Sequence, residues 1–200
     1  MEIEALIQTV ALWLNVVDVA TAWPRVEQMQ ARSHAKDAAA AGAIACRESF
    51  WDSASATHEA AHAVVAHRSG LRVGYARIRL DGSGAVAYEA DPLDVTEMIG
   101  RVAADLAGIL VELLEDAHPW RRQALAQSCD VLLARLNADV CRELMPAWAL
   151  TNRFFATVAY CTVMSNWDAI ERTAYALRVA GELSGERIRA LCSAGLRVAQ

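Results

Sequence analysis

The N-terminal part of the chain carries apolar side chains at intervals of three and four residues. This is the repeat of a helix with one buried face. The positions are Ile3, Leu6, Ile7, Val10, Trp13, Leu14, Val17 and Ala20. Pro24 interrupts the pattern, and the Ala-rich stretch 25–47 predicts a second helix. We therefore expect a helical arm over residues 1–50 that serves packing or self-association, and that could join copies of the chain into a homo-oligomer.

A change of period after residue 70 predicts a small β-hairpin. Residues 71–80, LRVGYARIRL, have the composition of a strand, and residues 85–90, AVAYEA, form its expected partner. The intervening Asp-Gly-Ser-Gly at 81–84 is typical of a tight turn.

Helical periodicity returns after the predicted hairpin. Asp94 and Glu97 have the spacing of a capping box, and a long apolar-striped helix follows until Pro119. Further helical patterns occupy 121–140, 145–164, 167–180 and 184–197. The sequence thus predicts a mainly α-helical domain over residues 51–200 with one small β-hairpin, preceded by the N-terminal helices.

Composition limits the classes of function. At 200 residues, the chain is long enough for one domain with a buried core. Hydrophobic residues make up 55% of it, which argues against extensive disorder. The formal net charge is −5 and no basic run exceeds two residues. Nucleic-acid binding is disfavoured, because it requires a concentrated basic face.

The cysteines and the N-terminal residues indicate in which cellular compartment the protein is expected. The five cysteines are widely spaced and form no CxxC, which predicts reduced thiols in a cytoplasmic protein. They are Cys46, Cys129, Cys141, Cys161 and Cys192. The apolar N-terminus has Glu2 and Glu4 where a signal peptide carries positive charge, and polar residues interrupt it further on. We expect neither a secretory signal nor a membrane span.

The strongest chemical signal is the HEAAH at His58–His62, within ATHEAAHAVVAH at residues 56–67. Residues four apart share one face of a helix, so both imidazoles can bind one ion at about 2.0–2.1 Å. Glu59 can then take a proton from a water bound to zinc. A chain of this composition would contain only about 0.01 such matches by chance.

The alternative is that His58 and His62 are ordinary helix residues beside polar neighbours. However, the residues around them are small and apolar, which predicts a buried helix, and buried polar groups without partners cost free energy. We therefore favour a Zn²⁺ site, which needs one further protein ligand besides a water. Spacing does not select that ligand, although a glutamate on a following helix is a common solution. The candidates are Glu97, Asp105, Glu112, Glu115, Asp116, His118 and Asp130.

Four further segments accompany HEAAHAVVAH: RVGYARIRL with GAVAYEADP, LAGILVELL, AQSCDVLLA and WDAIERTAYALRVAGELSGERIRAL. Together, in this order, they resemble the peptidase domain of the FtsH family of membrane-bound, ATP-dependent zinc proteases. That family has HEAGHAVVA, a strand-turn-strand with a GYT-like stretch, GGRAAEEL, SGASNDLxxAT and a closing helix with ETLxGxEL. The resemblance covers about residues 51–200.

The resemblance implies a zinc metallopeptidase with Glu59 as the catalytic base and with His58, His62 and Asp130 as the metal ligands. Asp130 occupies the place of the aspartate in SGASND. Glu112 matches the first glutamate of GGRAAEEL, and we expect it to orient a ligand histidine. A plain helix glutamate without such a role is an equally good interpretation of Glu112.

The chain also departs from the family pattern. Ala61 replaces the glycine of HEAGH, Ile109 the arginine of GGR, and Leu113 the second glutamate of GGRAAEEL. The GxxxxGK[ST] of an ATP-binding P-loop does not occur.

These departures suggest a free-standing peptidase domain, ATP-independent in itself, that hydrolyses flexible or unfolded polypeptides. A separate ATPase or adaptor could deliver other substrates. We expect strand 72–80 to offer an edge on which an extended substrate pairs. The alternative is an inactive metal-binding or interaction module with the same fold, although the presence of Glu59 within the motif argues against it.

Overall fold

The computed structural model describes residues 2–16, 53–79, 82–90, 92, 94–115, 125–126, 128–148 and 150–194. In these ranges the protein is mainly α-helical with one small antiparallel sheet, as predicted. The helices are α1 (Ile3–Val16), α2 (Ser53–Arg68), α3 (Val95–Glu115), α4 (Cys129–Leu144), α5 (Asn152–Ser165), α6 (Trp167–Ala180) and α7 (Gly185–Ser193). The strands are β1 (Val73–Ile78), β2 (Gly84–Tyr88) and β3 (Glu182–Ser184). The helix predicted at 25–47 lies outside the described residues.

The sheet has the order β2-β1-β3, with both pairings antiparallel. In the predicted hairpin Ile78 pairs with Gly84, while Leu183 of β3 pairs with Ala76 on the other side of β1. The expectation that strand 72–80 offers a free edge is therefore wrong, because β1 is the central strand. The sequence did not reveal β3, since three residues are too few to display an alternating pattern.

Helix α2 lies in the middle of the protein. It packs against α3, α6 and β1, and its small side chains allow these elements to approach closely. Seven of these side chains are fully buried: Ala56, Ala60, Ala61, Ala63, Val64, Val65 and Ala66. The HEAAH segment is thus held on a helix with neighbours on several sides, which fixes the direction in which its polar side chains point.

Helix α1 belongs to the same hydrophobic core. Its apolar stripe is buried at Leu6, Val10 and Leu14, and it packs mainly on α5 and also on α4. Asn152 donates a hydrogen bond to the side chain of Asn15 at 2.7 Å. Of the predicted arm, residues 3–16 are helical and pack on the rest of the chain.

Two predicted helix boundaries need correction. The helices expected at 121–140 and 145–164 are α4, which begins at Cys129, and α5, which begins at Asn152. Ser128 caps α4 by accepting from the backbone N–H of Val131, and Thr151 caps α5 in the same way. The predicted cap before α3 is confirmed, since Asp94 accepts a hydrogen bond from the Glu97 N–H at 2.8 Å.

Two composition-based expectations can be compared with the described residues. In those ranges, no helix combines the length and apolar character needed to cross a bilayer. Cysteines 129, 141, 161 and 192 are free thiols, as predicted, whereas Cys46 lies outside the described residues.

Candidate metal centre

Side chains from α2 and α4 converge on one point beside α3. The Nε2 atoms of His58 and His62 are 2.9 Å apart. Asp130, in the first turn of α4, places one carboxylate oxygen 3.3 Å from His58 Nε2 and the other 3.9 Å from His62 Nε2. Among the described residues, only these three form a group of histidine, cysteine or acidic side chains that could hold a metal ion. They are the ligands that the motif and the resemblance nominated.

Each histidine is fixed at its other nitrogen. His58 Nδ1 lies 2.7 Å from the carboxylate of Glu112, and His62 Nδ1 lies 2.6 Å from the carbonyl oxygen of Ala104. Because an ionised carboxylate and a carbonyl only accept hydrogen bonds, both Nδ1 atoms must donate. In a neutral ring, Nε2 then carries a bare lone pair. Two such lone pairs facing each other need a positive charge between them.

This arrangement suits a zinc ion. Ligand atoms at 2.0–2.1 Å in a tetrahedral shell stand about 3.3–3.4 Å apart. The two Nε2 atoms are 2.9 Å apart, and one ligand atom from each of the three residues lies within 4.8 Å of the others, so small side-chain shifts would bring them to that spacing. Two imidazoles and one carboxylate, with a fourth position for water, are also a donor set typical of catalytic zinc. The residues present therefore fit the metal that the sequence predicted.

Electrostatics favour a cation at this point. Burial lowers the pKa of His58, but hydrogen bonds to Asp130 and Glu112 outweigh it and hold the pKa well above its usual value. Burial and the neighbouring His58 lower the pKa of His62. Burial would raise the pKa of Asp130, yet the two histidines hold it below its ordinary value. The acidic neighbours therefore favour positive charge at this point, and metal binding competes with protonation of His58.

One face of α3 forms the wall behind the histidines. Ala104, Gly108 and Glu112 recur every four residues and so share that face. A Cβ atom on Gly108 would stand 2.5 Å from the Nε2 atoms of both histidines, which is closer than real Cβ contacts. Along this face, Ala104 provides a carbonyl oxygen for His62, Gly108 leaves room for both imidazole rings, and Glu112 provides a carboxylate for His58.

Sequence reasoning missed two members of this wall. The carbonyl group of Ala104 belongs to the backbone, so the residue type gave no signal. Gly108 did leave one, because an isolated glycine within a helical pattern indicates a packing or functional requirement. Glu112 contacts His58 on the side away from the proposed metal, where an orienting residue is expected.

Glu59 lies beside the cluster, with 8% of its surface exposed. Burial raises the pKa of its carboxyl group to about 7; the charges of His58 and Arg79 oppose this rise, and that of Asp130 adds to it. A carboxyl group that titrates near neutral pH can both accept and return a proton.

The remaining candidates for the third ligand are positioned elsewhere or fall outside the described residues. Asp105 accepts hydrogen bonds from Arg101 at 3.1 Å and from Asn137 at 2.7 Å, and this network joins α3 to α4. Glu97 lies in the first turn of α3 and Glu115 at its last residue. The two candidates outside the described residues are Asp116 and His118.

Comparison with protein-family models and with curated proteins finds no match to this chain.

Proposed function

We propose that the protein is a zinc-dependent endopeptidase of the FtsH-like type, acting in the cytoplasm on flexible or unfolded polypeptides. One observation carries the proposal: the fixed Nδ1 atoms of His58 and His62 turn two Nε2 lone pairs toward the carboxylate of Asp130. Such a pocket attracts a cation, and the buried carboxyl group of Glu59 lies next to it. Together these groups are the parts required for hydrolysis with an activated water.

Each residue has a definite task in the proposed reaction. His58, His62 and Asp130 would hold the metal. Bound there, zinc would supply Lewis-acid activation of a water molecule and polarisation of the scissile carbonyl group. Glu59 takes a proton from the attacking water and returns it to the leaving amine nitrogen.

The groups around the ligands preserve this arrangement. The Glu112 carboxylate and the Ala104 carbonyl group keep both imidazole rings oriented with Nε2 toward the metal position. Burial of Glu59 and of His62 limits competing water around them.

The substrate class is supported by the sheet. Strand β2 is an outer strand, and its first residue, Gly84, contacts the side chain of Glu59. An extended peptide that paired with the outer edge of β2 would therefore run past the base. An unfolded segment offers its backbone N–H and C=O groups for such pairing, whereas a folded substrate would require a separate unfolding partner to expose the scissile bond.

The experiment is a comparison of zinc content and casein cleavage in four proteins. The wild type should hold about one zinc per chain, and His58→Ala and His62→Ala should lose it. Glu59→Gln should retain zinc and fold while losing hydrolysis, because the amide preserves the shape and cannot take the proton. Undiminished cleavage by Glu59→Gln would assign any activity to another site. Zinc in the wild type without cleavage would favour the metal-binding module instead.

A further inference from the structure

The side chain of Glu59 lies close to the backbone of a strand. A Cβ atom built on Gly84, the first residue of β2, would collide with three atoms of the Glu59 side chain, including one carboxylate oxygen. Glycine is the residue that allows such an approach, because it carries no side chain of its own. The side chain of Glu59 therefore lies directly against the main chain of β2.

The hairpin that carries Gly84 is itself attached to α2. Ser55, one turn before Glu59, donates a hydrogen bond from its hydroxyl group to the carbonyl oxygen of Gly82 at 2.7 Å. Gly82 has a φ of 79°, the left-handed conformation that glycine adopts without strain. Within the turn, the backbone N–H of Arg79 donates to the carbonyl oxygen of Ser83 at 2.7 Å. Turn and helix thus form one connected unit around the base.

We propose that Gly84 is a positioning residue that determines where the Glu59 carboxylate stands relative to the metal site. A methyl group on Gly84 would overlap the Glu59 carboxylate, so the glycine leaves open the space that this carboxylate occupies. The catalytic consequence rests on the proposed function of Glu59 as the proton acceptor. The packing relationship itself does not depend on that function.

Another glycine of the same hairpin provides a matched control. A Cβ on Gly74, in the neighbouring strand β1, would meet its nearest atoms at 3.5 and 3.6 Å, which is ordinary van der Waals contact. Gly74→Ala and Gly84→Ala therefore make the same chemical change in adjacent strands. Only Gly84→Ala pushes against Glu59.

The first test is a double-mutant cycle on stability, with all proteins saturated with zinc. Gly84→Ala should lower the urea midpoint of unfolding in the wild-type background. In the Glu59→Ala background this shift should disappear, because the atoms with which the new methyl group collides have been removed. Gly74→Ala should give the same shift in both backgrounds. Equal shifts for Gly84→Ala in the two backgrounds would overturn the proposal.

The second test measures peptide hydrolysis and zinc content. Gly84→Ala should retain full zinc and a KM close to that of the wild type, while kcat falls by about 10–100-fold, as expected for a displaced catalytic group. Unchanged kcat, or loss of zinc, would contradict positioning of the base. A wild-type protein without peptidase activity would overturn the proposed function, whereas coupling in the stability cycle would still support the placement of Glu59 by Gly84.

Discussion

The Nε2 atoms of His58 and His62 face each other at 2.9 Å, and each ring is fixed from behind by an acceptor at Nδ1. Neither ring can turn away without losing a buried hydrogen bond, which costs free energy. The pair therefore remains directed at one point, and only a proton or a cation there relieves the repulsion. A substitution that adds atoms in front of the two Nε2 atoms should therefore disturb metal binding.

Gly108→Ala should weaken zinc binding without unfolding α3. Alanine in a helix interior is ordinarily more favourable than glycine by about 1 kcal/mol, so helix content should be retained. The new methyl group, however, would press on both Nε2 atoms and displace them. A chelator competition titration should show the reduced affinity, with circular dichroism as the test of fold.

Gly100→Ala is the control for this substitution. It introduces the same methyl group into the same helix, but the collision there is with the side chain of Ser69, away from the proposed metal. We expect Gly100→Ala to lower stability and leave zinc affinity unchanged. Equal zinc affinity in Gly108→Ala and Gly100→Ala would show that Gly108 does not form the wall of the metal site.

Residues of the site that lie close together in the sequence could be predicted, whereas contacts between distant segments could not. His58 and His62 were found from sequence because four residues of one helix fix their relationship locally. Asp130 comes from another helix, so its approach depends on how α4 packs, and only the order of the FtsH-like segments singled it out. The contact between Gly84 and Glu59 depends on how a hairpin docks on a helix, which the local pattern does not encode.

The same reasoning explains the fold. The periodic stretches gave α1 and α3 correctly where the structure describes them, and the small apolar residues around HEAAH gave α2. The boundary near Asn152 was missed because the stretch 145–164 is mostly apolar and helix-like, although Pro146 and the capping residue Thr151 interrupt it. Strand β3 exists through its pairing with β1, so its signal lies in the partner strand and not in its own residues.

Thiol chemistry offers a test of how α4 is placed. Burial raises the pKa of the Cys141 thiol to about 11, whereas Cys161 is exposed on α5. Alkylating reagents attack the thiolate, and a pKa near 11 leaves about 0.1% thiolate at pH 8. In the native protein at pH 8, iodoacetamide should modify Cys161 and spare Cys141, as read by mass spectrometry of the peptides. Rapid native labelling of Cys141 would contradict its placement, and denaturant should make both react.

Two leucines of α1 test whether the N-terminal helix is part of the core. Leu14 is fully buried, whereas 51% of the Leu12 surface is exposed two residues earlier. Leu14→Ala should reduce the free energy of unfolding by about 2–5 kcal/mol, as for other buried leucines. Leu12→Ala should change it by less than about 0.5 kcal/mol. The measurement is urea denaturation, and similar effects of the two substitutions would mean that α1 does not pack as described.

The third ligand is tested by Asp130→Ala and Glu112→Ala. Asp130 approaches both Nε2 atoms and would bind the metal directly, whereas Glu112 contacts the opposite nitrogen of His58. Loss of an orienting carboxylate typically costs about 10–100-fold in metal affinity or activity, and loss of a ligand should cost more. Zinc retention against a graded chelator series should therefore fall further for Asp130→Ala than for Glu112→Ala.

Conservative variants separate the two roles more sharply. The Glu112→Gln amide oxygen can still accept the hydrogen bond from His58 Nδ1, so this variant should retain more zinc than Glu112→Ala. Asp130→Asn removes the negative charge with which Asp130 would bind the metal. It should therefore retain no more zinc than Asp130→Ala. If Glu112→Ala sheds the metal while Asp130→Ala retains it, the ligand would be the glutamate of α3. The FtsH-like assignment of Asp130 would then be wrong, and the peptidase proposal would have to be rebuilt on a different ligand set.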